Sequence, residues 1–258
     1  MIKNRLPKEK QGLTVLTPEN SFRFKCHEGL DCFTRCCRNI SIVLTPYDIL
    51  RMKNALNTGS GEFLANYTMS MIGDAGLPVV LLKMKDDDEK NCPFVTRKGC
   101  RIYPDRPWSC RIYPLQPESS KITERAAKQY YSVMDVPFCL GLEENSSLVL
   151  AEWIEEQGVS VYQKMEAPFK TITTNAFLSQ NKITNKNIQE MFYMAGYDLD
   201  RFKRFVLEST FLERFEVAPE IVGKIKEDDI ELYFFAMRWL EYGLLGQHVL
   251  KVKPEVTR

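Results

Sequence analysis

Apolar positions change period several times along this chain, and each change predicts an element. The run Ile-Ser-Ile-Val-Leu at 40–44 is rich in β-branched residues and predicts a strand. Thr45, Pro46 and Asp48 then stand as N-cap, first-turn proline and acidic third residue. They predict a helix to about residue 57, with Ile49, Leu50, Lys53 and Leu56 on or beside its apolar stripe. Gly59-Ser60-Gly61 breaks it, and Ser60 is placed to cap a second helix through Met71. A second strand is expected over 77–85, then a polar turn over 86–90. Residues 130–133 read as strand or helix.

Beyond residue 146 helical periods dominate. Helices are expected over 148–156, ended by Gly158, and over 159–170, stopped by Pro168. Further helices are expected over 187–195 with Gly196 at the end, and over 199–208 capped by Asp198. The strongest pattern is 230–245, where Ile230, Tyr233, Phe234, Met237, Leu240 and Leu244 recur at helical spacing. Asp228 or Asp229 caps it and Gly246 stops it. Residues 1–20 read as an irregular lead-in and 250–258 as a frayed tail.

These elements predict an α+β fold: a loop-rich cysteine part with short strands and helices, then a mainly helical C-terminal part. The composition shift sets the expected domains at 1–145 and 146–258, the second packing on the first. A chain of 258 residues is long enough for a substantial core. Its net charge is +1, which supplies no field for nucleic acid or a membrane surface, so no nucleic-acid partner is expected. The basic start, residues 1–11, lacks the apolar run of a signal peptide, and no apolar window is long enough for a membrane span. Both point to a cytoplasmic, reducing location, where a disulfide framework is disfavoured.

All eight cysteines fall in the first part, at Cys26, Cys32, Cys36, Cys37, Cys92, Cys100, Cys110 and Cys139. Sulfur concentrated on turns and loops predicts metal ligation at all eight positions. The stretch from Cys92 to Cys110 holds the pentamer Cys-Arg-Ile-Tyr-Pro at 100–104, repeated at 110–114. Pro93, Pro104, Pro107 and Pro114 stiffen this stretch and predict a loop presenting thiols at set places. Eight thiolates suffice for two four-sulfur centres, and such a set suits Zn²⁺ or an iron–sulfur cluster. The spacings match neither zinc knuckles nor ferredoxins, so they do not choose the metal.

Cys36 and Cys37 carry a geometric constraint. Neighbouring side chains on an extended backbone point to opposite faces, so both reach one centre only through a turn. Either they serve two centres, or one ligates while the other packs. The simplest partition sets Cys26, Cys32, Cys36 and Cys37 against Cys92, Cys100, Cys110 and Cys139. A mixed partition follows better from the constraint. Arg35, Arg38, Arg101, Arg106 and Arg111 crowd the sulfurs and either offset thiolate charge or pair elsewhere, with Asp105 a candidate partner. Tyr103, Trp108 and Tyr113 read as packing around the loop.

The ordered motifs F-K-C, C-x₃-C-C, I-S-I-V-L-T-P-Y-D-I-L-R, C-P-F and C-R-I-Y-P-D-R-P-W-S-C-R-I-Y-P span roughly 22–115, with Cys139 as a further member. Together they resemble the YkgJ-type cysteine-cluster family, described as a putative zinc- or iron-chelating domain. That family is similar to the cysteine-rich part of flagellin lysine N-methylases, for which an iron–sulfur cluster and S-adenosylmethionine are implied. The resemblance implies a 4Fe–4S cluster ahead of Zn²⁺ as the cofactor. Three functions stay open: an iron–sulfur protein with a redox or protein-modifying role, a zinc-stabilised interaction module, and a lysine N-methylase-like enzyme with a protein substrate. With two histidines, no Ser-His-Asp set and no nucleotide-binding glycine fingerprint, chemistry here would have to be carried by a metal.

Overall fold

The computed structural model describes residues 15–118 and 130–254. Of the irregular lead-in expected over 1–20 and the frayed tail expected over 250–258, residues 1–14 and 255–258 lie outside the described residues, while Val15–Leu16 and Lys251–Val252 are paired strands. The chain divides into two compact units, each made of separate stretches. One holds the residues up to Cys36 with Ser109–Ser160, the other Cys37–Trp108 with the residues from Val161 onward.

The first unit rests on two antiparallel sheets. Tyr130–Val133 is central in one, flanked by Val15–Leu16 and Leu115–Glu118, so the strand alternative is the one adopted at 130–133. In the other, Ser21–Arg23 pairs with Ser147–Val149, setting Phe22 opposite Leu148. This register buries Phe22 while Ser21 and Arg23 face outward. Trp153, on the helix Leu150–Glu156, packs its ring 6.1 Å from Phe22 and 5.9 Å from Phe24. The expected helix at 148–156 therefore begins two residues later, because its first residues extend the strand. Gly158 then takes a left-handed φ of +64°, a turn that glycine adopts without strain.

The second unit opens on a three-stranded sheet, Val43–Leu44, Pro78–Leu82 and Thr68–Ile72, with Pro78–Leu82 central. Thr45 closes the predicted capping box on the helix Pro46–Ala55: its hydroxyl accepts from the Asp48 N–H, and the Asp48 carboxylate accepts from the Thr45 N–H. Lys53 is buried on this helix because its ammonium reaches Asp229 Oδ2 at 2.8 Å. Ser60 does not cap the next helix, Ser60–Tyr67; Gly59 holds that position. The Ser60 hydroxyl instead donates to Asp198 Oδ1 at 2.6 Å and accepts from the Asp200 N–H at 2.9 Å. Residues 68–71, expected as helix, lie in the edge strand Thr68–Ile72, which pairs with Pro78–Leu82 over the whole stretch.

Helices make up most of the remainder of this unit, beside the strand pairs Val95–Thr96 with Gly99–Cys100 and Phe215–Glu216 with Lys251–Val252. Pro168 does not stop Val159–Thr173 but lies inside it. An internal proline costs about 3 kcal/mol. Burial of Tyr162 and Ile172, at 1% and 0% exposure, recovers roughly 1.5–3 kcal/mol each. Lys186–Tyr197 begins one residue before the expected start at 187, is capped by Asn185 and takes Gly196 into its body. Leu199–Glu208 is capped by Asp198, and Asp229–Leu245 by Asp228, with Gly246 left-handed at its end, as the pattern predicts. The fold class is α+β, with a mainly helical C-terminal part.

Candidate metal centre

Residues 27–37 form a chain of turns rather than a strand. Leu30 N–H bonds to His27 O, Phe33 N–H to Leu30 O at 2.8 Å, and Arg35 N–H to Cys32 O at 2.9 Å. The last of these opens the 3₁₀ turn Arg35–Cys37. With three residues per turn, successive side chains leave a 3₁₀ helix about 120° apart. Cys36 and Cys37 therefore diverge, and the division between the units falls between them.

Cys26, Cys32, Cys36 and Cys139 gather in the first unit. The Cys26 thiol is pushed up to about 11, by burial first and then by Cys36, Cys32 and Cys139. Cys36, Cys32 and Cys139 therefore each lie near Cys26. Cys26 is exposed as a residue and Cys139 is buried, so the group runs inward from the surface. Backbone geometry brings the distant Cys139 in. Lys25 N–H donates to Gly141 O at 2.9 Å, and a Cβ on Gly141 would stand 2.9 Å from Lys25 O. Only a glycine lets the two segments close to that distance. Turn bonds from Cys139 N–H to Val136 O and from Leu142 N–H to Cys139 O fix the thiol between them.

Tyr113 belongs to this group, a role that its sequence context did not reveal. Its ring stands edge-on to Phe24 with centroids 6.4 Å apart. Its hydroxyl is buried and makes no hydrogen bond of standard geometry. Burial holds its proton well above the usual phenol range, helped by interaction with Cys139 and by the nearby Cys36 and Cys32. A buried hydroxyl facing thiols leaves a donor for which thiolate sulfur is the available acceptor.

A second thiol set lies in the other unit. Cys92 N–H donates to Cys37 O at 2.8 Å, and Asn39 N–H to Lys90 O at 3.0 Å, with Arg38 and Asn91 bridged between them. The hairpin of Val95–Thr96 with Gly99–Cys100 turns at Gly99, whose φ of +105° suits glycine. It carries Cys100 back toward Cys92, whose thiol is raised by burial and further by Cys100. The expected loop over 92–110 thus contains this hairpin and ends in a helix, Trp108–Ile112, that carries Cys110. Asp48 Oδ1 accepts from the Trp108 N–H at 2.7 Å and anchors that helix start.

The arginines have partners of their own. Arg35 lies over the Phe138 ring at 5.0 Å, Arg101 over Phe94 at 5.4 Å and Arg106 over Tyr103 at 3.8 Å. Arg38 pairs with Glu89, and Arg111 donates to Gln157 O at 2.8 Å. Asp105 pairs with Arg51. His27 accepts from the Gly29 N–H at 3.2 Å through Nδ1 and approaches Glu144 at 3.6 Å through Nε2.

Among the described residues, no group of three or more His, Cys, Asp or Glu side chains is set to hold a metal ion. The donor chemistry nevertheless fits one: four thiols share a neighbourhood, and an orphaned hydroxyl faces them. No described helix is long and apolar enough to cross a membrane. No curated protein and no solved structure matches the chain. Residues 25–136 match the CxxCxxCC family, described as a putative zinc- or iron-chelating domain. This stretch is thus similar to the cysteine-cluster domains to which its motifs pointed.

Proposed function

We propose that the chain is a cytoplasmic metal-binding protein whose cysteine thiolates hold an iron–sulfur cluster of the 4Fe–4S type. The observation that carries this reading is the convergence of Cys26, Cys32, Cys36 and Cys139 on one neighbourhood. Four thiolates make a soft donor set, which suits a cubane cluster or tetrahedral zinc. The resemblance to the cysteine-rich part of flagellin lysine N-methylases favours iron over zinc. Cys37, Cys92, Cys100 and Cys110 are the further proposed ligands, so that Cys36 and Cys37 serve different centres. Bound there, a cluster supplies one-electron chemistry. The chain's own residues bring the thiols together, limit water through Phe24, Tyr113 and Trp153, and offset charge with Arg35 against Phe138.

Anaerobic purification tests this directly. The expected protein is brown and carries iron and sulfide. A colourless preparation with stoichiometric zinc overturns the iron reading and supports zinc as a structural staple. Binding of S-adenosylmethionine to the loaded protein is the mark of a protein-modifying role, with a protein substrate.

A further inference from the structure

Tyr113 has a simple role as packing: its ring fits edge-on to Phe24, and phenylalanine would fill the same space. The hydroxyl is what that role leaves unexplained. It has been taken out of water and given no standard hydrogen bond. A buried donor in that position is destabilising unless a partner is supplied. The Phe24 ring against which Tyr113 packs also closes on Gly141, two residues past Cys139, so the hydroxyl is buried beside the cysteine turn, where its side-chain neighbour is Cys139. A neutral thiol is a weak acceptor, and a metal-bound thiolate is a good one. The backbone fixes the ring's position from both sides. Met134 N–H donates to Pro114 O at 2.9 Å, and Lys25 N–H to Gly141 O holds the Phe24 segment against the Cys139 turn.

Resting on the metal-binding reading above, we infer that Tyr113 donates a hydrogen bond to the Cys139 sulfur when that sulfur is a metal-bound thiolate, and so tunes the centre held by Cys26, Cys32, Cys36 and Cys139. Tyr113 is a positioning residue: it touches a ligand, not the metal. Its hydrogen bond withdraws charge from sulfur. In an iron–sulfur centre this favours the reduced, more negative state and raises the potential. At zinc it tightens the hold on the ion. In both cases the effect is largest on the Cys139 side of the set.

The test compares the full-length protein with Tyr113→Phe and with Tyr130→Phe, a control tyrosine on a strand of the same unit. Each is reconstituted anaerobically with Fe²⁺ and sulfide, and separately with Zn²⁺ alone. Metal-to-protein ratios, midpoint potential and the rate of zinc capture by a chromogenic chelator are read. The expected result is that Tyr113→Phe folds and loads, holds zinc about tenfold more weakly, and has a lower midpoint potential. A tenfold change in the one-electron equilibrium is about 59 mV. Tyr130→Phe matches wild type. Tyr113→Phe that matches wild type in potential and chelator rate overturns the inference while leaving the metal reading intact. A wild-type protein that takes up neither metal overturns the metal reading, and the Tyr113 role falls with it. If melting curves show Tyr113→Phe unfolded, 3-fluorotyrosine at this position keeps the shape and strengthens the donor. It should move the potential upward and slow zinc release, and no movement overturns the inference.

Discussion

Glu166 Oε1 lies 2.8 Å from the Thr45 hydroxyl, and that hydroxyl is also 2.9 Å from Asp48 Oδ2. A hydroxyl has one proton to give. Thr45 Oγ1 already accepts from the Asp48 N–H, and the Asp48 carboxylate collects the Thr45 N–H and the Trp108 N–H. Thr45 Oγ1 donates toward both carboxylates, and its one proton satisfies only one of them at a time. The carboxyl of Glu166 is pushed up to about 8, by burial first and then by the Asp48 charge, against the Thr45 contact and Lys170. In the unfolded chain it ionises near its ordinary 4.5.

Between those two pH values the folded protein binds a proton that the unfolded chain does not. The stabilisation is complete below about pH 4.5 and is lost as pH rises through about 8. The loss is on the order of a few kcal/mol. Glu166→Gln keeps a hydrogen-bonding amide and removes the titration. Denaturant melts across pH 5–9 should show a flatter stability profile for the variant and, near pH 9, a protein at least as stable as wild type. Parallel profiles for the two proteins would show that Glu166 ionises normally in the fold.

Gly141→Ala should prise apart the two segments that hold Cys26 and Cys139. The added Cβ meets Lys25 O at 2.9 Å, and backbone cannot turn aside as a side-chain tip can. Overpacking of this kind costs about 1–3 kcal/mol. Metal affinity should fall by at least about tenfold, the scale seen when the support of a ligand is disturbed. Competition against a chelator of known affinity measures it. Unchanged affinity would mean that Cys139 stands outside the centre.

Cys36→Ser and Cys37→Ser should differ although the residues are neighbours. Cys36 acts on the Cys26 thiol, whereas the Cys37 carbonyl is tied to the Cys92 amide. Metal should protect Cys26 from iodoacetamide in Cys37→Ser and fail to protect it in Cys36→Ser. Equal loss of protection, in protein holding one centre, would put both thiols on the same metal.

Asp198→Ala removes two interactions at once. Its carboxylate caps Leu199–Glu208 through the Arg201 N–H and receives the Ser60 hydroxyl at 2.6 Å. A lost cap costs about 0.5–2 kcal/mol, and the orphaned buried hydroxyl adds about 1–3 kcal/mol. Thermal melts should register the sum, while the metal content stays that of wild type. A loss near zero would mean that water replaces the carboxylate at both contacts.

Local chemistry was legible in the sequence wherever the signal lies within one turn of chain. The Thr45 and Asp48 capping box, the Asp198 and Asp228 caps and the Gly246 stop were all readable for this reason. The misread elements are those that distant partners decide. Residues 68–71 are helix-like by pattern, yet pair with Pro78–Leu82 across a turn. Ser60 has the residue type of a cap, but Asp198 and Asp200, far along the chain, take its hydroxyl. Pro168 sits inside a helix because flanking residues are buried. The cysteines announced themselves by number and placement. Their grouping depends on the 3₁₀ turn at Arg35–Cys37 and on the Lys25 to Gly141 contact, and Tyr113 shows its environment only once that contact is made.

That long-range contact also sets an order of events. Cys26, Cys32 and Cys36 come together through turns that close within a few residues, and such closures are fast and cost little entropy. Cys139 joins only when Ser21–Arg23 pairs with Ser147–Val149, a meeting that also sets the Arg23 guanidinium against Glu144, 121 residues away in sequence. During synthesis the fourth thiol is therefore made, and delivered, after the other three have long been exposed. A growing chain offers an incomplete set to any ion it meets, and the set closes when the second strand emerges. Pulse-labelled exchange during refolding should find the Lys25 amide protected in step with the Ser147–Val149 strand, and not before it.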